Sequence, residues 1–258
     1  MRLLVLLTAL AMPVVGWLSN NGTFGPDNGT ISDQYPTLLV AAGYAFAIWG
    51  LIFLLDIAFA VWQLTGSRKT DQTVTRIAPW AAAGFALTTV WMPLFAMSQF
   101  WLCLLVIFGA TACLIRCAMI LSHDRTPQEG QWMWAWLPLS MHAGWLSLAA
   151  FLNLAQVVVA YELASTTDML PWSLVIFGLA ALMLLMVNLR MRGNIDYVIA
   201  ALWALVAVYV KQSGSGLPGA QTAAWIALAI GVVLALQTVM LRRKYPGGLL
   251  PNPARAAG

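Results

Sequence analysis

Eight apolar runs, at 3–18, 42–64, 77–97, 100–121, 134–160, 170–189, 195–210 and 222–241, constrain this chain more than any other feature. Each is long enough, or nearly so, to cross about 30 Å of hydrocarbon at about 1.5 Å per residue. Within lipid the backbone must satisfy its own N–H and C=O groups, and a helix does so inside one segment. The expected fold is therefore all-α: a polytopic integral membrane bundle of about eight transmembrane helices. Of the 258 residues, 61% are hydrophobic and 9% charged, where a soluble domain carries about 25% charged residues to face water. The mean hydropathy is +0.81, and one soluble core of this size could not hide so much apolar area.

The short junctions between runs test this assignment, because Lys and Arg gather on the cytoplasmic side of a membrane. With the N-terminus inside, the inside set is Arg2, Arg68, Lys69, Arg76, Arg116, Arg125, Arg190, Arg192, Arg242, Arg243, Lys244 and Arg255, which is twelve of the 13 basic residues. Lys211 alone falls outside. Dropping one helix would invert part of this pattern, so the count and the orientation support each other. Both termini are expected in the cytoplasm of a cell in which this is an inner-membrane, bacterial, multi-pass protein.

The first run admits two readings. Arg2 followed by apolar residues to Ala11 has the look of a signal peptide, while Met12-Pro13-Val14-Val15-Gly16-Trp17-Leu18 extends the stretch toward the length of an uncleaved helix. Segment 19–41 is the long external loop. Its two Asn-Gly-Thr triplets, at Asn21 and Asn28, are glycosylation acceptors in a eukaryotic secretory membrane and turn residues in a bacterial one. The Pro/Gly/Ala-rich stretch 246–258 is expected to be a disordered cytoplasmic tail.

A net charge of +4 and a pI near 9.2 do not make a nucleic-acid binder, since the basic residues sit in separate junctions and form no continuous face. Cys103, Cys113 and Cys117 share one apolar run, as small residues packing between helices do. Two histidines leave little for a metal site. No Walker loop, dinucleotide fingerprint, HExxH or serine-hydrolase elbow occurs, so no catalytic residue is assigned and no cofactor is required.

Three runs carry polar and aromatic stripes at helical spacing. Phe46, Trp49, Phe53, Asp56 and Gln63 fall within about a third of the circumference of the second span. Pro138, His142, Trp145, Ala149, Asn153 and Gln156 do the same in the fifth, and Thr88, Trp91 and Phe95 share a face of the third. Such faces point into the bundle, because unpaired polar groups in lipid are costly. Spacing alone fits either ordinary helix packing or a ligand cavity. By depth, Trp49, Trp91 and Asn153 lie about 10 Å from the external boundary, and Asp56 and His142 about 12 Å from the cytoplasmic one.

Asp56 is the most unusual residue. A carboxylate near mid-membrane costs about 2.5–3.5 kcal/mol on the lenient insertion scale, so it is paired or protonated. His142, at equal depth, and Arg116, nearer the cytoplasm, are the candidate partners. His142 is expected, since Arg116 could reach the nearby surface instead.

The segment Tyr44-Ala45-Phe46-Ala47-Ile48-Trp49-Gly50-Leu51-Ile52-Phe53 resembles the first helix of the TspO/MBR family, the tryptophan-rich sensory proteins related to the animal translocator. Trp91-Met92-Pro93-Leu94-Phe95 resembles its second-helix W-x-P-L-F stretch, and Pro138, Trp145, Ala149 and Leu152-Asn153 its fourth helix. Asp33-Gln34-Tyr35-Pro36-Thr37-Leu38 is similar to the stretch before the first helix in longer bacterial members. The resemblance covers residues 40–190. It implies a five-helix core at 42–190, preceded by an N-terminal helix and external loop at 1–41 and followed by two additional spans at 191–245. Two departures stand out: Thr88 where the family commonly has Asn, and His142 where a Tyr is usual near Pro138.

The resemblance further implies a pocket for a tetrapyrrole, porphyrin or haem-type, or for a sterol-like molecule, with sensing, regulatory or translocating roles; enzymatic porphyrin breakdown has been proposed for some members. The ligand-binding residues expected are Phe46, Trp49, Asp56, Thr88, Trp91, Phe95, His142, Trp145 and Asn153. A small proton-coupled transporter using Asp56 and His142 is the first alternative and a tetrapyrrole-degrading enzyme the second. The expected partners are the lipid bilayer and a hydrophobic small molecule, with room for a homodimer and no nucleic acid.

Overall fold

The computed structural model describes residues 1–245; the tail expected at 246–258 lies outside the described residues. Helix α1 spans Arg2–Asn20, a short α2 Asn28–Gln34, α3 Ile48–Trp62, α4 Gln72–Ala96 and α5 Phe100–Ser122. They are followed by α6 at Leu137–Ala160, α7 at Leu170–Arg190, α8 at Ile195–Ser213 and α9 at Ala220–Lys244. A 3₁₀ turn at Gly43–Ala47 leads into α3, and a widened π turn at Trp132–Trp136 leads into α6. No strand occurs among the described residues, and eight of the helices are long and apolar enough to cross a membrane.

The helix ends follow local chemistry. Helix α4 begins five residues before the expected apolar start because the Asp71 carboxylate accepts a hydrogen bond from the Val74 N–H at 2.8 Å, capping a polar first turn. Helix α2, inside the loop expected at 19–41, begins where Asp27 accepts from the N–H groups of Gly29 and Thr30. Pro138 stands in the first turn of α6, where a missing N–H costs nothing.

Helix α6 is the axis of the bundle, packing against α3, α5, α7 and α8. Its small residues Ala143, Gly144, Ser147 and Ala150 are buried and let its neighbours come close. A Cβ built on Gly144 would collide with the Tyr197 carbonyl oxygen of α8. Hydrogen bonds seal the same seam: Tyr197 donates from its hydroxyl to Ser147 Oγ at 2.9 Å, and Asn194 Nδ2 donates to Ser140 Oγ at 2.8 Å. On the other flank α1 packs across α3 and α4, burying Val5, Ala9 and Met12. Its Arg2 guanidinium donates to the Gln63 carbonyl at 2.7 Å and to Thr75 Oγ1 at 2.9 Å. Helix α9 closes the bundle against α7 and α8.

The bundle has two unlike ends. Arg68, Lys69, Arg76, Arg116, Arg125, Arg190, Arg192, Arg242, Arg243 and Lys244 lie toward one, here the basic end. The other, the loop end, carries α2, the segment 35–47 and Lys211, which pairs with Asp33 at 2.8 Å.

Candidate functional site

Segment 35–47 crosses the loop end in an order fixed largely by α8. Gln212 Nε2 donates to the carbonyls of Thr37 at 3.1 Å and Val40 at 3.0 Å. The Ala42 N–H donates to the Ala207 carbonyl at 2.9 Å, and Trp203 Nε1 to the Ala45 carbonyl at 3.1 Å. These bonds hold Val40 and Ala41 as the roof of a cavity whose walls come from α3, α4 and α6. Gln156 on α6 reaches up to Ser32 of α2 at 3.4 Å, closing the same roof from below.

Phe46, Trp49, Trp91, Phe95, Trp145 and Asn153 line this cavity. Trp49 stacks on Phe53 with ring centres 5.2 Å apart and meets the edge of Trp145 at 5.9 Å. Trp91 stacks on Phe95 at 4.8 Å and lies 6.3 Å from Trp49. Trp91 Nε1 donates to Asn153 Oδ1 at 2.8 Å, while Asn153 Nδ2 donates back to the Ala149 carbonyl at 3.1 Å. The indole N–H groups of Trp49 and Trp145 are buried and have no acceptor among the described residues. A buried donor without a partner is costly, and two of them beside one cavity leave room for an acceptor from outside the chain.

The free volume is small, about 30 Å³, space for one or two waters rather than for a drug-sized molecule, whose pockets measure about 300–1,000 Å³. The rings themselves fill the site. Beyond Phe46 and Trp49 lies a second space, a groove of about 370 Å³ that opens beside α1 between Pro13, Trp17, Gly50, Phe53 and Met92. Phe46 and Trp49 line both spaces, so they form the partition between the groove and the cavity.

Asp56, Thr88 and His142 do not line the cavity; they form a buried cluster on the side toward the basic end. Asp56 Oδ2 is 2.7 Å from His142 Nδ1, and neither side chain is exposed. His142 Nε2 is 3.4 Å from Thr88 Oγ1, the hydroxyl of which donates to the Gly84 carbonyl at 2.9 Å. Phe85 lies parallel to the imidazole at 6.0 Å, and Trp49 presents a ring at right angles to it at 5.7 Å. Trp49 thus touches both groups of residues. Arg116 is exposed at the basic end and is not among the contacts of Asp56.

Of the residues that spacing singled out, Gln63 and Pro138 belong to neither group: Gln63 Nε2 donates to the Arg2 carbonyl at 3.1 Å, and Pro138 stands at the start of α6. The roof residues Ser32, Val40 and Ala41 carry no periodic signal, because they belong to α2 and to an irregular segment. Phe85 was findable, since it stands three residues before Thr88 on the same face of α4.

Among the described residues no group of three or more His, Cys, Asp or Glu side chains is placed to hold a metal ion. Comparison with curated proteins and with solved structures returns no match. A family model described as TSPO-like protein matches residues 2–240, a stretch that takes in seven spans, most of the eighth and both groups of site residues. The chain therefore belongs to the TSPO-like protein family, as a membrane-spanning helical member of it.

Proposed function

We propose that this protein binds a hydrophobic planar molecule, a tetrapyrrole or a sterol-like compound, in the aromatic cavity, and acts through that binding as a sensor, regulator or translocator. The observation that carries the reading is the set of Trp49, Trp91 and Trp145 around one cavity with two indole N–H groups free of acceptors among the described residues. Indole faces suit a flat π-system, and the free N–H groups and Asn153 suit its polar edge. On this reading the arrangement, with about 30 Å³ free, is the closed form. Displacing the Phe46–Trp49 partition would join the cavity to the groove and provide volume of the order such ligands need.

Titration of the purified protein with a porphyrin, followed by tryptophan quenching, tests this, and repetition after illumination tests for turnover. Trp91→Leu keeps the site apolar but removes the indole face and the bond to Asn153. It should weaken binding by about 1–3 kcal/mol, with base–aromatic stacking as the analogue. Unchanged affinity would place the ligand elsewhere.

A second reading rests on the buried Asp56–His142 pair. Ionisable groups inside spans mark proton and ion pathways, so the pair supports a small proton-coupled transporter. That reading requires substrate uptake into vesicles that collapses when the proton gradient is dissipated.

A further inference from the structure

The basic end holds a separate pocket of about 350 Å³ that the ligand reading does not use. It is lined by Arg76 of α4, Arg116 of α5, Arg125 just beyond α5 and Arg190, the last residue of α7, together with His123 and Asp124. Four arginines from three separate parts of the chain therefore line one concavity. The general excess of Lys and Arg at one membrane face accounts for basic residues at this end. It does not account for four of them around one space.

The charge there is not balanced from within. The ion pairs among the described residues are Asp56 with His142 and Asp33 with Lys211, so none of the four arginines is paired among them. Asp124 is the one carboxylate of the lining, and both its oxygens are engaged, accepting from the Thr126 N–H at 3.1 Å and from Gln131 Nε2 at 2.7 Å. His123 Nδ1 is turned to the Met119 carbonyl at 2.8 Å. One carboxylate among four arginines leaves an excess of positive charge, and an anion that enters relieves that repulsion while accepting several charge-assisted hydrogen bonds.

The chemistry of the donors selects the anion. Guanidinium presents paired N–H groups in a planar fork that matches the oxygens of a phosphate. The pocket sits where α4 begins and α5 and α7 end, the level at which phosphate groups of a bilayer stand, and basic pockets between spans at that level take anionic headgroups. We infer that this pocket is a phosphate-binding site for a phosphodiester or phosphomonoester, supplied either by the headgroup of an anionic lipid or by a soluble phosphate compound.

The test uses the full-length protein in nanodiscs of phosphatidylcholine, with phosphatidylglycerol added in one arm and inorganic phosphate in the other, and reads the thermal unfolding midpoint. The pocket variant is Arg116→Gln with Arg190→Gln. The control is Lys69→Gln with Arg243→Gln, which removes equal charge from the same end outside the pocket. All four of these residues are exposed, so both variants keep the packed interior. A ligand that binds the folded form raises the midpoint with its concentration. The wild type and the control should be stabilised in at least one arm, and the pocket variant should need about tenfold more of that ligand per arginine removed, as the loss of one charged hydrogen-bonding partner gives. Arg116→Lys, which keeps the charge and loses the fork, should fall between. Stabilisation in the lipid arm assigns the headgroup, and in the phosphate arm a soluble ligand. No stabilisation in either arm, or equal responses from the pocket variant and the control, would overturn the site.

Discussion

Asp56 Oδ2 lies 2.7 Å from His142 Nδ1 at the centre of the bundle, and the opposite ring nitrogen faces Thr88 Oγ1 at 3.4 Å. The Thr88 hydroxyl donates to the Gly84 carbonyl, which leaves its lone pairs turned to Nε2. Removing either partner of the Asp56–His142 pair strands a fully buried polar group. Asp56→Ala or His142→Ala should each cost about 3–5 kcal/mol of stability, and joint replacement by apolar residues of similar volume much less. A double-mutant cycle read by denaturant unfolding in detergent checks this. If the pair also couples to ligand, porphyrin affinity between about pH 5 and 8 should lose its pH dependence in Asp56→Asn and in His142→Gln. Single variants that both keep the wild-type profile would leave the pair as a structural tie alone.

Gly50 faces the groove beside α1, and a Cβ added there meets nothing within 4 Å. Gly50→Leu should therefore fold, gaining helix propensity of about 1 kcal/mol, while obstructing the groove and leaving the cavity untouched. Because the proposed ligand needs the groove's volume as well as the cavity's, porphyrin Kd read by stopped-flow quenching should rise, by about tenfold for each 1.4 kcal/mol of binding lost. Unchanged Kd with association and dissociation slowed together would mean that the groove is only the way in. Wild-type rates would mean that it enters elsewhere.

Gln212 reaches from α8 to the carbonyls of Thr37 and Val40. Gln212→Ala leaves both without that donor, and the segment they belong to should loosen by about 1–3 kcal/mol. Amide exchange should accelerate across 37–45 and stay unchanged in α4 and α5. Uniform acceleration along the chain would show that α8 supports the whole bundle rather than the roof.

Asp27 offers a pH-dependent handle outside the spans. Hydrogen bonds from the Thr30 hydroxyl, from the Thr30 N–H and from the Gly29 N–H hold its carboxyl below the ordinary carboxylate range. A depressed folded value means that the cap's contribution is present above the unfolded value of about 3.9 and is lost as pH falls through the folded one. Amides of α2 should gain exchange on acidification below about pH 4 in the wild type, whereas Asp27→Ala should show the faster exchange already at neutral pH.

The spans were legible because hydropathy and the distribution of arginine are properties of single segments. Each of the eight runs lies within its helix to within about two residues, with polar first and last turns such as Gln72–Arg76 and Arg242–Lys244 added by caps and continued winding. The stripe positions Trp49, Trp91, Trp145 and Asn153 were legible for the same reason, since a helix face is a local property. What spacing could not carry was assembly. Ser32, Val40 and Ala41 become a roof only because α8, far along the chain, supplies Gln212, Ala207 and Trp203 to hold them. Thr88 and His142, where the chain departs from the Asn and Tyr usual in the family, face each other, a relation between two helices that one sequence does not display.

The absence of a side chain at Gly144 also decides which parts of the molecule can give way. With the α8 backbone lying against that position and Tyr197 and Asn194 pinned to the serines of α6, neither helix can slide or turn past the other without collision. Helix α6 carries Trp145 and Asn153, and α8 carries the supports of the roof, so wall and roof are fastened to each other. Opposite them stands α3, which carries Trp49 and has α1 packed across it, while the 3₁₀ turn that carries Phe46 is tied to α8 through Ala42 and Ala45. On the proposed ligand reading, the fixed wall is α6 with α8, and the part left to yield is the Trp49 face of α3 beside the groove.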